Sequence, residues 1–205
     1  MPADHYFTEQ PSARGRRELM TVELRGFSIR LVTVPGVFSR ERIDRGTRLL
    51  IKHIEISPTD RVLDLGCGYG AVGIVSALLA SEGRVTLTDV NRAAAEAARE
   101  NLHLNQIENA EVVQGPGFDP IPGFRFDVIA LNPPIRAGLR VVRALLEEAV
   151  EHLSPGGRFW LVGRTKQGVV RLSENMSRAI GETVEVAKGG GYRLYTARCP
   201  NGEGA

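Results

Sequence analysis

The sequence predicts an α/β fold, a doubly wound and mainly parallel seven-stranded sheet preceded by a short β-hairpin and a helix. Three observations carry this. From Arg61 onward, short apolar runs alternate with longer segments of helical period, as a parallel sheet covered on both faces requires. The polar and glycine-rich motifs fall at the carboxyl ends of the apolar runs, where such a sheet binds its ligand. The chain has 205 residues and a hydrophobic fraction of 42%, enough for a single core with a small appendage.

Taken in order, Met20–Thr33 alternates apolar and polar positions around Gly26, the pattern of a hairpin or bent strand pair. Pro35-Gly36 ends it. Asp44–Ile54 carries Leu49, Leu50 and Ile54 at helical spacing, and Ser57-Pro58 stops that helix. Strands are expected at Val62–Leu65, Val85–Thr88, Ala110–Val113, Phe126–Leu131 and Arg158–Val162. The helices between and after them are Ala71–Ala80, Asn91–Leu104 with Asn91 as N-cap, Leu139–Leu153 and Gly168–Ile180. Ser154-Pro155-Gly156-Gly157 reads as the stop of the third of these helices. Thr183–Ala187 and Tyr192–Ala197 close the sheet as an antiparallel pair. Residues 1–57 are expected to form an extension packed on a 58–199 core, with 200–205 a disordered tail.

Composition excludes more than it selects. A net charge of +2 neither demands nor forbids an anionic partner. The cations are mostly arginine, with Lys52, Lys166 and Lys188 the only lysines. That bias suits phosphate and base contacts, although genome composition or adaptation to heat produces it too. Cys67 and Cys199 show no metal spacing, and no metal site is expected. Neither a signal peptide nor an apolar run of membrane-spanning length is visible, so a soluble, cytoplasmic protein is expected. His53, His103 and His152 lie on helices without partners at metal spacing and read as surface residues. Trp160 reads as core.

The segment Asp64-Leu65-Gly66-Cys67-Gly68-Tyr69-Gly70 runs from a buried strand into a glycine-rich turn. Gly68, Gly70 and Gly73 literally spell the dinucleotide fingerprint, with Asp89 downstream. Register argues otherwise. The strand ends at Leu65, so the first turn glycine is Gly66 and the fingerprint starts two residues late. Asp64 would repel a pyrophosphate, but it suits the cationic groups of S-adenosylmethionine. Asp89 then suits the two ribose hydroxyls as a double acceptor, with Val90 beside it. Cys67 is counted with the loop as a small packing position.

Leu131-Asn132-Pro133-Pro134-Ile135 follows the fourth strand. In isolation this is turn chemistry. At the carboxyl end of that strand it offers two acceptors, the Asn132 side-chain oxygen and the Pro133 carbonyl. An exocyclic NH₂ on a nucleic-acid base is a poor nucleophile because its lone pair is delocalised. Two acceptors can hold it and aim the lone pair, and Pro133-Pro134 keeps them preorganised.

With the Asp64–Gly70 loop, Asn132-Pro133-Pro134 resembles the amino-methyltransferases, in particular the small-domain group around ribosomal RNA small-subunit methyltransferase C. Gly36-Val37-Phe38-Ser39-Arg40 with Asp44-x-Gly46 is similar to the segment preceding that group's catalytic core. Asn132–Gly138, Thr165-Lys166-Gln167-Gly168 and Lys188-Gly189-Gly190 look closest to a single-domain, archaeal-type branch. The resemblance spans about Phe7 to Ala197. It implies a Rossmann-like methyltransferase fold, S-adenosylmethionine as cofactor and an RNA substrate, with guanine N2 of ribosomal RNA the favoured target. It makes Asn132, Pro133 and Pro134 catalytic and assigns Asp64, Gly66, Cys67, Gly68, Gly70, Asp89, Val90 and Asn132 to the cofactor. Phe38, Ile135 and Arg136 fall to the substrate. Separately, their placement beside the expected pocket in an arginine-biased chain offers Arg40 and Arg136 to phosphates.

The sequence departs from the group at two places. Gln114-Gly115-Pro116-Gly117-Phe118 lacks the acidic residue that meets adenine, leaving backbone amides or Phe118 for that contact. Ile135 replaces the usual aromatic after Asn-Pro-Pro, which leaves Phe38 or Tyr192 to stack on the base. The rival readings are a protein glutamine N5-methyltransferase, a non-catalytic module binding S-adenosylmethionine and RNA, and, last, a nicotinamide oxidoreductase. Oligomeric state is not legible.

Overall fold

The computed structural model describes residues 18–33, 43–133 and 138–201. Strands β1 (Glu18–Leu24) and β2 (Phe27–Thr33) pair antiparallel around Arg25 and Gly26, at φ 51° and 85°. Two positive φ values are what a two-residue hairpin turn of the right twist needs. Helix α1 (Arg45–His53) starts at Asp44, whose Oδ2 accepts from the N–H groups of Gly46 (2.9 Å) and Thr47 (3.2 Å). Then follow β3 (Arg61–Leu65), α2 (Ala71–Leu79), β4 (Arg84–Asp89), α3 (Arg92–Leu104), β5 (Ala110–Gln114) and β6 (Phe126–Leu131). After these come α4 (Leu139–His152), β7 (Leu153–Arg164), α5 (Val169–Ala179), β8 (Thr183–Gly189) and β9 (Tyr192–Arg198). Asn91 caps α3 as expected, accepting from Ala93 and Ala94.

The seven-stranded sheet has the order β5-β4-β3-β6-β7-β9-β8, with only β9 antiparallel to its neighbours. The strand order reverses between β3 and β6, so the crevice beyond their carboxyl ends is the switch point of the winding. Alternate residues feed two cores, as the two-residue period of a strand demands. Val62, Val128, Ala130, Trp160 and Val162 pack with Leu50 and Ile51 of α1, Ile74 of α2 and Ala97 and Ala98 of α3. Leu63, Leu65, Ile129, Leu131, Phe159 and Leu161 pack with Leu146 and Ala149 of α4 and Leu172 and Met176 of α5.

The structure corrects the sequence reading at two points here. Ser154–Gly157 lies inside β7 rather than outside it. Leu153 pairs with Phe126, a register shift absorbs the glycines, and Gly157 O accepts from Cys199 N–H (2.8 Å). Backbone pairing on both sides therefore overrides local turn preference. His152 is buried, not on the surface. Its ring stacks on Phe118 at 4.4 Å and 13°, and its Nδ1 lies 2.8 Å from Phe124 O.

The hairpin is fastened to α3 by side-chain amides one helical turn apart. Asn101 Oδ1 accepts from Val32 N–H, and its Nδ2 donates to Val32 O (3.0 Å) and Tyr69 O (2.9 Å). Asn105 treats Arg30 in the same way. Asn101 is fully buried. Asn101→Ala strands one N–H and two carbonyls, and is expected to cost about 2 kcal/mol of stability, read as a lower urea midpoint with unchanged slope. Among the described residues no helix is long and apolar enough to cross a membrane, and no cluster of His, Cys, Asp or Glu could hold a metal.

Candidate active site

Leu65 and Leu131 are register partners on adjacent parallel strands, so Gly66 and Asn132 leave the sheet side by side at the switch point. Leu65 likewise pairs with Thr88, which brings in Asp89 from the other flank. The three motifs singled out from the sequence thus meet at one edge.

The loop after β3 is shaped by its glycines. Gly66 and Gly68 have φ of 70° and 57°, and a Cβ built on either meets no protein atom within 4 Å. Their backbone is left-handed and faces open space, so a ligand can lie directly on it. The loop is pinned from below by Gly66 N–H and Cys67 N–H, both donating to Thr88 O (2.8 and 2.9 Å). Strand β3 ends at Leu65, which confirms that the literal dinucleotide fingerprint begins too late in the turn.

Asp64 is buried at 4% exposure, and its Oδ2 accepts from Gly73 N–H at 2.8 Å. Burial pushes its carboxyl up to about 7, opposed by the Gly73 bond and reinforced by the negative charge of Asp89. Asp89 accepts from Gly68 N–H through Oδ2 and from Asn91 N–H through Oδ1, both at 2.8 Å. Burial raises its carboxyl too, while those two N–H groups pull it back. Each Asp89 oxygen keeps lone-pair capacity for a further donor. Among the described residues neither carboxylate has an ion-pair partner, so this edge of the crevice is acidic. Burial, with Asp64 and Asp89 close by, drives the Cys67 thiol well above its ordinary range, which leaves it an uncharged packing group.

Asn132 is half-buried, and its Nδ2 donates to Thr47 Oγ1 (2.9 Å) and Asp44 Oδ2 (3.3 Å). Its Oδ1 has no hydrogen bond among the described residues. Pro133 is buried beside it. Asp44 also accepts, through Oδ1, from Tyr192 OH at 2.6 Å, and Arg164 Nε donates to the same Tyr192 oxygen at 2.7 Å. Neither Asp44 nor Thr47 was visible as a site residue in the sequence. Their only signal was the Asp44-x-Gly46 spacing, and Gly46 proves necessary because a Cβ there would lie 2.7 Å from the Tyr192 ring.

Two stacking candidates fall away. Tyr192 is 5% exposed, with the Arg164 guanidinium 5.0 Å over its ring. Phe118 is 1% exposed and stacked on His152, so it is closed to adenine. Pro134, Ile135, Arg136, Phe38 and Arg40 lie outside the described residues. A groove of about 530 Å³ lined by Arg61, Arg84, Arg125 and Phe124 sits at the amino ends of the strands, across the sheet from Asn132.

Comparison with known proteins fixes the family. The family model named "Methyltransferase small domain" matches residues 28–196. YbxB of Bacillus subtilis is 34% identical over 198 residues, 96% of this chain and 98% of that protein. Ribosomal RNA small subunit methyltransferase C of Pseudomonas putida is 36% identical over 184 residues, covering 88% of this chain and 54% of that protein. This chain therefore spans about half the length of that relative. The structure of a T. thermophilus 16S rRNA N2 guanine methyltransferase with AdoMet and guanosine superposes with TM-score 0.80 at 24% identity, covering 92% of this chain and 51% of that one. That likeness shows the fold, and with the family model and the sequence matches it places this chain in the methyltransferase small domain family.

Proposed function

We propose that this protein transfers a methyl group from S-adenosylmethionine to the exocyclic amino nitrogen of a base in ribosomal RNA, with guanine N2 the favoured target. The observation that carries this is Asn132, tied to α1 through its NH₂ so that its oxygen is left to accept, beside an open glycine loop flanked by Asp64 and Asp89. The names of the relatives support it, since one modifies ribosomal RNA and another binds guanosine with AdoMet.

The donor set fits the cofactor. An open backbone at Gly66 and Gly68 would take its amino-acid portion, with Cys67 and Gly70 completing the turn. Asp64 would supply a counter-charge, and Asp89 with Val90 would hold the ribose. S-adenosylmethionine supplies a cationic sulfonium whose methyl carbon is open to in-line attack. The chain contributes position and polarity. Asn132 Oδ1 and the Pro133 carbonyl accept from the target NH₂, localise its lone pair and hold it in line. Phe38, Ile135 and Arg136 would meet the base and its phosphates.

The rim of the crevice suits RNA. Arg45, Arg48, Lys166 and Lys188 are exposed and form no ion pair among the described residues. Arg45 lies against the Gly190 turn, and Thr165 N–H donates to Gly191 O at 2.9 Å. These contacts bring α1, the end of β7 and the β8–β9 turn to one edge. Cations so placed can neutralise phosphates. A ribosomal RNA substrate puts the reaction in the cytosol.

Asp89→Ala removes a ribose acceptor together with the support of Gly68 and Asn91. It is expected to weaken cofactor binding by about 1–3 kcal/mol in calorimetry; wild-type affinity would cancel the ribose role. The test of the function itself is methyl-labelled cofactor with ribosomal RNA from cells lacking the protein, followed by nucleoside analysis. Label in N2-methylguanosine is expected. Label in protein glutamine, or cofactor binding without transfer to any fraction, would replace this reading with one of its rivals.

A further inference from the structure

We infer that Asp44 is the positioning residue that sets which end of the Asn132 carboxamide faces the substrate, and that Tyr192 and Arg164 hold Asp44 in place for that task. The inference rests on the amino-methylation reading above. A carboxamide has two ends of nearly equal shape and opposite hydrogen-bonding sense. Only one orientation offers the target NH₂ an acceptor; the flipped one sets NH₂ against NH₂.

Two groups touch the Nδ2 end, and they differ in what they can tell apart. The Thr47 hydroxyl, 2.9 Å away, can donate or accept, so it satisfies either end. The Asp44 carboxylate, 3.3 Å away, can only accept when ionised, so it rejects the oxygen and selects the nitrogen. Asp44 is itself fixed on both oxygens. Its Oδ2 accepts from the N–H groups of Gly46 and Thr47, and its Oδ1 from Tyr192 OH at 2.6 Å. Tyr192 OH receives the Arg164 Nε–H at 2.7 Å, which orients the phenol proton toward Asp44. A chain of donors from Arg164 thus ends on the one acceptor that can discriminate the amide. Asp44 and Tyr192 are 148 residues apart, so this joint also clamps α1 to β9 at the mouth of the crevice.

Asp44→Ser and Asp44→Asn separate this role from helix capping, because both residues cap as well as aspartate. The serine hydroxyl is shorter and is consumed by the cap, so Asn132 loses its selector. Asparagine keeps an oxygen at the capping position, which Asn132 can still meet. Asp44→Ser is expected to lower kcat about tenfold, with KM for RNA and cofactor affinity near wild type and Tm lowered by the lost Tyr192 bond, and Asp44→Asn to restore most of the loss in kcat. Wild-type kcat in Asp44→Ser would overturn the inference. Asn132→Ala is run beside it: an inactive Asn132→Ala with a fully active Asp44→Ser rejects the positioning role alone, whereas an active Asn132→Ala rejects the amino-methylation reading. A second readout needs no substrate and no stable variant. In the ¹⁵N spectrum of the wild-type protein, the Asn132 side-chain NH₂ pair, assigned by its loss in Asn132→Ala, should be protected from solvent exchange. Exchange at the rate of a free amide would overturn the inference even if Asp44→Ser failed to fold.

Discussion

Asn132→Ala is expected to lower methyl transfer by about 10²–10³-fold, with a far smaller change in cofactor affinity. The magnitude is that of losing one preorganised polar partner of a developing charge. The interaction strengthens as the target nitrogen becomes tetrahedral, so the loss falls on turnover rather than on binding. Cofactor affinity is expected to change little, because the bonds of Asp64, Asp89 and the glycine loop do not run through Asn132. Single-turnover transfer, alongside a cofactor titration, is the measurement, and near-normal turnover would return Asn132-Pro133-Pro134 to a plain turn. Asn132→Asp is a finer probe, since it keeps an acceptor and adds a charge. With the Asp44 carboxylate 3.3 Å from Nδ2, the substitution sets two carboxylates against each other, and at neutral pH it is expected to do no better than alanine.

The second large effect belongs to Asp64. In the unfolded chain its proton leaves near the ordinary 3.8, whereas in the folded protein it is held to about 7. Between those values the folded state binds the extra proton, so stability falls as pH rises through the window. The loss is on the order of 4 kcal/mol by pH 8, at about 1.4 kcal/mol per unit. A cation bound beside the carboxylate removes the penalty. The cofactor should therefore raise Tm more at pH 8 than at pH 6. Asp64→Asn should have a higher Tm than wild type at pH 8 without ligand, with weaker cofactor binding. A ligand-free wild-type Tm that is flat from pH 5 to 8 would remove Asp64 from this role.

The parts of this architecture governed by local rules were legible in the sequence. The Val62, Val128 and Trp160 strands, the Asn91 cap and the Gly66 register follow from periodicity and turn chemistry acting over a few residues. The residues that escaped notice act across the chain. Asp44 reads as the first residue of a helix until Tyr192 arrives from β9. Asn101 reads as one polar position in an alanine-rich helix until β2 lies against it. His152 reads as a surface histidine until Phe118 covers it, and that same stacking withdraws Phe118 from the adenine role that the sequence offered it. In each case the missing information is a packing partner supplied by the topology. Trp160 needed no such partner, since a bulky apolar group is buried on its own account.

The Asn101 carboxamide has a consequence for motion. Its nitrogen donates separately to Val32 in the hairpin and Tyr69 in the glycine loop, so the two segments are tied to one side chain. Displacement of that amide by either segment is expected to loosen the other. A ligand that quiets the loop is expected to slow hydrogen–deuterium exchange at the Val32 N–H, which is held by the oxygen of the same carboxamide.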